Sequence, residues 1–278
     1  MTRLASRTLA MVVSAETGLG FVGSEGGANG IRWFELSPAE YSSSRTFTIR
    51  LEVGWRRIDA TFRLGNFAGD LLSAMAASDE AGRRSFSSVL DSCSDAGADV
   101  VLSVNGARRN HRDDTIWAVS WRSFGFSIGK GMLAINEGDV DADTRLVEEW
   151  AIRATAAALA LMPIEADVDE SPEVLGLPEG AKVRIEVNRY ERDRRNRAAA
   201  LAIHGHACMA CGVEMAARYG PVADGLIEVH HVVPVSELGG EYVVDPKTDL
   251  VPLCPNCHSV AHRRSPPYSL DELRGMLH

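Results

Sequence analysis

Two C-x-x-C pairs in the last third of the chain constrain its fold more than any other feature of the sequence. They are Cys208 with Cys211 and Cys254 with Cys257, and a few tens of residues separate them. Each pair bends around one knuckle and can place two thiolates on the same ion, so the two pairs together supply the four ligands of a tetrahedral zinc site. We therefore expect a small domain in which these four cysteines hold structural Zn²⁺.

Four histidines lie in or beside the same stretch and are left over for a second task. His258 and His262 are four residues apart in a segment with a helical pattern, so they fall on one face and can share one metal ion. His230 lies in an alternating, β-branched run, Glu228 to Val233, which is typical of a strand, and it can add a third ligand. His231 then points to the other side of that strand or its turn and can act as a base. A structural zinc with a separate cation beside an unliganded histidine is a nuclease-like arrangement.

The segments EVHHVVP and DLVPLCPNCH, followed by His262 inside the C-x-x-C frame, resemble the HNH endonuclease family, whose site is a ββα-metal fold. The resemblance covers roughly Val183 to Leu277. Within the family it is most similar to McrA-type endonucleases, which restrict modified DNA and carry an N-terminal recognition domain. It implies a metal-dependent endonuclease that hydrolyses DNA phosphodiester bonds and restricts foreign or modified DNA, for example DNA containing 5-methylcytosine.

The resemblance also implies a role for each residue of the site. His231 is the general base that takes a proton from the attacking water, and His230, His258 and His262 are the ligands of the catalytic divalent cation. That cation binds the scissile phosphate and stabilises the leaving 3′ oxygen. Asp249 stands where the family has an asparagine that orients the base, and we assign it to the catalytic site because a carboxylate can also accept a hydrogen bond and raise the basicity of imidazole.

Three questions stay open at this stage. The catalytic cation can be Mg²⁺, Mn²⁺, Co²⁺, Ni²⁺ or Zn²⁺, because three imidazoles suit the later transition metals while Mg²⁺ most often serves phosphate chemistry. Glu228 is either a partner of the histidine ligands or a strand residue that faces solvent. The function has two alternatives: an HNH nuclease whose N-terminal domain senses another ligand or partner, and a zinc-stabilised DNA-binding module without catalysis, which the aspartate at position 249 keeps open.

Length and composition predict two domains of an α+β protein. The 278 residues divide into an α+β domain for DNA recognition at 1–164, an acidic, proline-containing linker at 165–182 and the HNH domain at 183–278. The net charge of −9 is the wrong sign for indiscriminate binding to nucleic acid, so DNA contacts must come from local basic patches and the metal. No run of residues is long enough to span a membrane, and cysteine usage favours a reducing cytoplasm. Cleavage of both strands by a one-site nuclease favours a homodimer.

Candidate DNA contacts come from five arginines and one tryptophan. The arginines lie in a basic loop between two predicted strands and in an arginine-rich helix ahead of the first zinc knuckle. At both places they either contact DNA phosphates or are solvated surface residues. The tryptophan lies in a predicted hairpin turn, where its ring can stack on an extruded base. The candidates are Arg108, Arg109, Arg112, Arg192, Arg195 and Trp55.

The N-terminal domain is expected to mix strands and helices. Alternation predicts a hairpin from residues 45–53 and 58–64, a buried strand at 99–104 and a strand at 115–127. Helices are predicted at 85–96 and 144–162. All tryptophans and phenylalanines of the chain precede residue 151, and we expect most of them in the core of this domain. Residues 9–14 are expected to form a strand, and the glycine-rich residues 18–30 a loop.

Overall fold

The computed structural model describes residues 4–163, 194–233, 242–264 and 266–277. The chain divides into two compact units, unit 1 at Met1–Pro163 and unit 2 at Ile164–His278. The predicted linker at 165–182 and the arginine at position 192 lie outside the described residues. Within the described ranges, none of the helices has the length and apolar character needed to cross a membrane.

Unit 1 is built on one seven-stranded sheet in which all neighbouring strands are antiparallel. Its strands are β1 (Phe21–Ala28), β2 (Ile31–Pro38), β3 (Phe47–Gly54), β4 (Arg57–Leu64), β5 (Asp99–Val104), β6 (Ala107–Arg109) and β7 (Phe124–Gly131). Their order across the sheet is β1-β2-β3-β4-β7-β5-β6. The first four strands are consecutive hairpins, and β7 then lies between β4 and β5.

Helices cover one face of this sheet. They are α1 (Ser6–Thr17), α3 (Glu80–Asp95) and α4 (Val140–Ala160), while α2 (Gly69–Ala76) is a short helix that precedes α3. Helix α1 contacts β1 and β2, α4 contacts β3 and β4, and α3 contacts β5. Side chains alternate between the two faces of a strand, so Ile49, Leu51 and Phe62 are buried under the helices while Arg50 and Thr61 occupy the opposite, open face.

The aromatic core expected from the sequence is present. Phe62 stacks on Phe126 with ring centroids 5.1 Å apart, and Phe47 lies 5.5 Å from Phe62. At the start of β7, Trp121 stacks on Phe124 at 4.5 Å. These rings join three strands of the sheet, which is why they are buried rather than available to a ligand.

The strand expected at residues 9–14 is wrong, because these residues belong to α1. Leu9, Ala10 and Val13 are buried on one side of the helix, which is the spacing of a helical stripe. Gly18 ends the helix in the left-handed conformation, at φ 68°, and its N–H bonds the carbonyl of Ser14 at 2.9 Å. The short apolar run is therefore a helix face that packs on the sheet.

The loop expected at residues 18–30 is also wrong over most of its length, since it contains β1. Its glycines serve packing. A Cβ at Gly23 would lie 2.5 Å from the carbonyl oxygen of Ser6 in α1, and one at Gly26 would lie 2.5 Å from the ring of Trp33 on β2. The edge strand is rich in glycine because a helix and an indole ring approach its backbone closely.

The other elements expected in unit 1 form with shifted bounds. The hairpin of β3 and β4 turns at Trp55 and Arg56, and β5 has the predicted limits. Helices α3 and α4 each begin several residues earlier than predicted, at the capping carboxylates of Asp79 and Asp139. The strand expected at 115–127 is wrong in its first half, where Asp114–Ala118 is a 3₁₀ turn, and right from Phe124 onward.

Unit 2 has a ββα arrangement at its centre. Its elements are α5 (Arg194–His204), α6 (Met215–Tyr219), β8 (Glu228–His231), β9 (Leu250–Leu253), α7 (Pro255–Ala261) and α8 (Leu270–Gly275). Strands β8 and β9 are antiparallel, and α7 follows β9 after one residue. The predicted ββα fold is thus confirmed.

A small core and a hydrogen bond from α5 hold this motif in place. Leu201 of α5, Val229 of β8, Leu253 of β9 and Leu273 of α8 belong to one buried cluster. On α5, the guanidinium of Arg197 donates to the carbonyl of Ile227 at 2.8 Å, which holds the chain where it enters β8.

The last helix, α8, begins at a capping box. The hydroxyl of Ser269 accepts from the backbone N–H of Glu272, and the carboxylate of Glu272 accepts from the backbone N–H of Ser269 at 2.8 Å. Helix α8 therefore begins at a defined residue and packs into the core of unit 2.

Candidate metal centre and active site

The four cysteines meet at the junction of the first knuckle with β9 and α7. In the first knuckle, the N–H of Gly212 donates to the carbonyl of Cys208 at 2.7 Å, and Gly212 has a φ of 72° that suits the tight turn. The N–H of Met209 donates to Pro252 of β9 at 2.9 Å, which joins this knuckle to the second pair. Cys254 is the residue that precedes α7, and Cys257 follows in its first turn.

The spacing of the sulfur atoms fits one zinc ion. All four lie within 4.8 Å of one another, and the Sγ atoms of Cys211 and Cys254 are 3.8 Å apart. Four sulfurs bound tetrahedrally at about 2.3 Å from one Zn²⁺ would lie about 3.8 Å from each other. A disulfide requires about 2.05 Å, so the cluster has the dimensions of a zinc site and not of a crosslink.

The pKa values of the thiols show how closely these groups interact. Burial raises the pKa of Cys208, but hydrogen bonds from the backbone amides of Cys211, Cys254 and Ala210 outweigh it and lower that pKa to about 7. Burial raises the pKa of Cys254 and of Cys257, and the neighbouring thiols raise that of Cys257 further. Cys208 therefore loses its proton more readily than an ordinary thiol, whereas Cys254 and Cys257 resist ionisation in the absence of a cation.

Three histidines form a second cluster between β8 and α7. His230 on β8 is buried, and its ring centroid lies 5.3 Å from that of His258 and 4.9 Å from that of His262. The three rings meet edge to face, at interplanar angles of 77°, 82° and 71°. One nitrogen from each lies within 4.8 Å of the others. The sequence-predicted ligands are therefore brought together by the fold.

The separation of the nitrogens in this cluster also fits a single cation. The Nε2 atoms of His258 and His262 are 3.2 Å apart. Two imidazole nitrogens at about 2.0–2.1 Å from one tetrahedral ion would be separated by about 3.3 Å. His258 lies within α7 and His262 immediately follows it, so one helical turn supplies this pair.

Glu228 contacts one of the three clustered histidines. Its carboxylate contacts Nδ1 of His258, the nitrogen that faces away from His262. Glu228 and His230 are two residues apart on β8 and therefore leave the strand on the same side. A carboxylate on Nδ1 fixes the proton on that nitrogen and leaves Nε2 with a free lone pair for a cation. The i, i+2 spacing in EVHH is the sequence signal for this contact, and the sequence alone left the choice undecided.

His231 and Asp249 lie at the open end of the two-stranded sheet. His231 is the last residue of β8 and pairs with Leu250, and the N–H of Val232 donates to the carbonyl of Asp249 at 2.8 Å. The carboxylate of Asp249 accepts hydrogen bonds from Tyr242 Oη and from the N–H of Asp245, both at 2.8 Å. Asp249 therefore ties the loop before β9 to the strand end that carries His231. This contact to Tyr242 has no signal in the sequence.

The predicted DNA contacts of the basic loop are separated by the fold. Arg108 and Arg109 lie in the edge strand β6 and are exposed. The side chain of Arg112 instead bonds the carboxylate of Asp91 at 2.8 Å, which His111 also contacts at 2.6 Å. The pKa of Arg112 is raised by its hydrogen bond to Asp91. This arginine fastens the loop to α3.

The remaining predicted contacts differ in their surroundings. Trp55 is 74% exposed at the turn between β3 and β4. Its neighbours Arg56 and Arg57 form ion pairs with Glu137 and Asp59, at 3.2 and 2.7 Å. In unit 2, the arginine at position 195 lies in the first turn of α5 and is half-buried. DNA contact by these residues stays a prediction.

Comparisons with known proteins agree with this geometry. Residues 208–264 match the profile of the HNH endonuclease family. The type IV methyl-directed restriction enzyme EcoKMcrA of Escherichia coli (strain K12) is 37% identical over 92 residues, which cover 32% of this chain and 31% of the relative. The chain thus spans about a third of the length of the curated relative it matches. No solved structure matches it.

The family match begins at the first cysteine and ends two residues after His262. It therefore encloses both clusters, the strands β8 and β9, and α7. The C-terminal third of this chain carries, at residues 208–264, a domain of the HNH endonuclease family.

Proposed function

We propose that this protein is a divalent-metal-dependent DNA endonuclease that restricts foreign or modified DNA. The observation that carries the proposal is the convergence of His230, His258 and His262 within 4.8 Å, beside a strand that ends in His231. The four-cysteine cluster holds structural Zn²⁺ and fixes the end of β9 and the start of α7, on which two of the three ligands depend.

Each residue of the site has a role in hydrolysis. His231 accepts the proton of the attacking water through its imidazole, which needs to be neutral to do so. His230, His258 and His262 hold the catalytic cation, and the carboxylate of Glu228 on Nδ1 keeps His258 in the tautomer that can bind it. When bound, the cation supplies Lewis-acid stabilisation of charge on the phosphate. The protein's contribution is to fix these imidazoles before the substrate arrives.

Asp249 is proposed to position the base rather than to exchange protons. Its carbonyl accepts from Val232, the residue after His231, and its carboxylate holds the preceding loop through Tyr242 and Asp245. Both contacts limit the movement of the strand end. In this way an aspartate at the family's asparagine position is compatible with catalysis.

The choice of modified DNA as substrate rests on similarity. The relative with 37% identity over 92 residues is named as a methyl-directed restriction enzyme, and the match covers a third of this chain. We extend that substrate class to the present protein as a proposal, together with a cytoplasmic location in which reduced thiols bind zinc. Cleavage of both strands by a one-site nuclease favours a homodimer, in which two active sites act together.

Cleavage of paired plasmids tests the proposal. One plasmid carries 5-methylcytosine and the other is unmodified, and each is incubated with Mg²⁺, Mn²⁺, Co²⁺ or Ni²⁺ in turn. We expect cleavage of the methylated plasmid with at least one cation and its loss in the His231→Ala variant. The matched control is His204→Gln, which alters a histidine of the same unit that lies outside the clusters.

The outcomes separate the parts of the proposal. Equal cleavage of both plasmids would support the nuclease and refute the preference for methylated DNA. Absence of cleavage with every cation, on DNA that the protein binds, would refute catalysis and favour a zinc-stabilised binding module.

A further inference from the structure

One end of the sheet in unit 1 collects arginines from four distant parts of the sequence. Arg45 lies two residues before β3, Arg63 lies near the end of β4, and Arg122 lies two residues before β7. Arg108 is the middle residue of β6. Because neighbouring strands are antiparallel, the starts of β3 and β7 and the end of β4 fall at the same end of the sheet. We refer to these four residues as the arginine row.

The strand register places two members of the row on the same face. Arg63 pairs with Gly125, Gly125 with Ser103, and Ser103 with Arg108. Residues paired across a sheet point to the same side, and Arg63 alternates with the buried Phe62, so this side is the open face that the helices do not cover. Three strand spacings separate Arg63 from Arg108, which amounts to about 14 Å.

Only small side chains lie between these two arginines in the register. Gly125 and Ser103 rise little above the backbone, so the segment between Arg63 and Arg108 is a shallow floor. Such a floor lets a large, regular partner approach the sheet. With Arg45 and Arg122, the row extends from β3 to β6 across four strand spacings, or about 19 Å.

The arginine row carries positive charge that the described residues do not neutralise. Its four side chains are exposed, and within the described ranges none of their guanidinium groups forms a hydrogen bond or an ion pair. Glu40, in the loop that leads to Arg45, is an acidic residue of this region. The uncompensated charge stands out in a chain whose net charge is −9.

Arginines elsewhere on the open face are paired. Arg50 lies 3.0 Å from Glu52, and Arg57 lies 2.7 Å from Asp59. The ion pair of Arg57 and Asp59 lies over Gly129, so the charges at the opposite end of β4 and β7 balance each other. The same sheet therefore has one end with matched charges and one end with free cations.

Two exposed aromatic rings accompany the row. Phe67 is 76% exposed and Tyr41 is 61% exposed. The N–H of Phe67 bonds the carbonyl of Ser44 at 2.8 Å, which fixes its loop next to Arg45. Exposed rings beside unpaired arginines fit a surface for duplex DNA, where arginine binds phosphate and neighbouring side chains contact phosphate and sugar.

We propose that the arginine row, with Phe67 and Tyr41, is the surface by which unit 1 binds the phosphate backbone of duplex DNA. The inference rests on the proposed function, because that function makes DNA the substrate. It adds the surface of unit 1 that binds this DNA. Each strand of B-DNA carries one phosphate per about 3.4 Å of helix axis, so a duplex lying along the row brings phosphates of its backbone within reach of these guanidinium groups. Arginine suits this contact because its planar donors match phosphate oxygens.

DNA binding by charge-neutralised variants tests the inference. The full-length His231→Ala protein is titrated onto a fluorescent 25-base-pair duplex, without added divalent cation, and fluorescence anisotropy is recorded over a series of NaCl concentrations. The test variant adds Arg63→Gln and Arg108→Gln. The control adds Arg57→Gln and Arg84→Gln, which remove the same charge from arginines paired with Asp59 and Glu80.

We expect the test variant to bind roughly tenfold more weakly or worse, and its slope of log K against log salt to fall by about 1.8, or 0.9 for each lost phosphate contact. The control is expected to stay within about twofold of the parent protein, because paired, distant arginines neutralise no phosphate. Equal losses in both variants, an unchanged slope, or no DNA binding by the parent would overturn the inference. Circular dichroism melts establish that both variants are folded.

Plasmid cleavage by the same substitutions in the wild-type background separates this inference from the proposed function. If the parent binds DNA through the row but cuts no plasmid with any cation, the nuclease proposal fails and the surface stands. If the wild-type protein cuts DNA and the test variant binds as well as the control, the surface fails and the nuclease stands.

Discussion

Glu228 offers the sharpest test of how the site is built, because its contact with His258 can be removed without changing any of the three proposed metal ligands. The carboxylate lies against Nδ1 of His258, and Nε2 of the same ring is 3.2 Å from Nε2 of His262. Without the carboxylate, the ring loses the partner that fixes its tautomer and its rotation. A fraction of the molecules would then present a protonated Nε2, which cannot bind a cation.

The expected size of the effect follows from the exposure of the pair. Loss of such a carboxylate partner typically costs 10–100-fold in metal affinity or activity. His258 is 11% exposed, but Glu228 is 43% exposed, so solvent screens part of the interaction. We therefore expect the lower end of the range for Glu228→Gln, about tenfold in metal affinity, or about 1.4 kcal/mol.

Isothermal titration of Mn²⁺ or Co²⁺ into the zinc-loaded protein measures this effect directly. The matched control is Glu214→Gln, which removes an exposed carboxylate of the same unit that precedes α6. Cleavage rates at saturating cation should recover in Glu228→Gln if the residue acts through the metal. Unchanged cation affinity, together with the wild-type rate, would refute the reasoning and leave Glu228 as a surface residue.

Three further predictions concern stability. Removing zinc with a chelator should unfold unit 2, because its core includes the buried cysteines. Tryptophan emission should stay unchanged, since all five tryptophans lie in unit 1. Backbone amides of unit 2 that remain protected from hydrogen exchange after chelation would contradict this prediction. Ser269→Ala should cost about 1 kcal/mol, since it removes the N-cap of α8, and urea unfolding of unit 2 against Ser259→Ala would measure it. Burial lowers the pKa of His204 below its ordinary 6.5 and outweighs the hydrogen bonds to the carbonyls of Pro246 and Lys247, which raise it. As the pH falls, the unfolded chain therefore binds the proton before the folded protein does, and stability should fall below about pH 6.5. His204→Gln should flatten this part of the stability curve, and an identical pH dependence in both proteins would exclude the effect.

The clustering of the candidate ligands was predictable from the sequence because it depends on local spacing. C-x-x-C fixes two sulfurs on one knuckle, and H-x-x-x-H fixes two imidazoles on one helical turn, whatever the rest of the chain does. His230 needed one further step, a strand beside that helix, and the alternating run around it supplied the signal. The contact of Tyr242 with Asp249 joins residues of an irregular loop, for which sequence periodicity carries no information.

Unit 1 was predictable only in part, because its elements depend on what packs against them. The glycines of β1 suggested a loop. In the structure, however, the positions of Gly23 and Gly26 have no room for a larger residue, because Ser6 and Trp33 contact the backbone there. The apolar run in α1 was short enough to fit either a strand or a helix face. The insertion of β7 between β4 and β5 is a long-range pairing that no local pattern specifies.

The arginines show why sequence proximity is a poor guide to a binding surface on a sheet. Arg108, Arg109 and Arg112 form a basic run in the sequence, but the fold divides them: Arg109 is paired with the buried Leu102 and so leaves the strand on the other face, and Arg112 bonds Asp91. The fold instead places Arg108 in register with Arg63, which is 45 residues away in the sequence. Charge that looks continuous in the sequence is thus dispersed, while charge that looks isolated is assembled at one end of the sheet. A substitution at Arg63 should therefore weaken DNA binding more than one at Arg112, although only the second lies in the basic run.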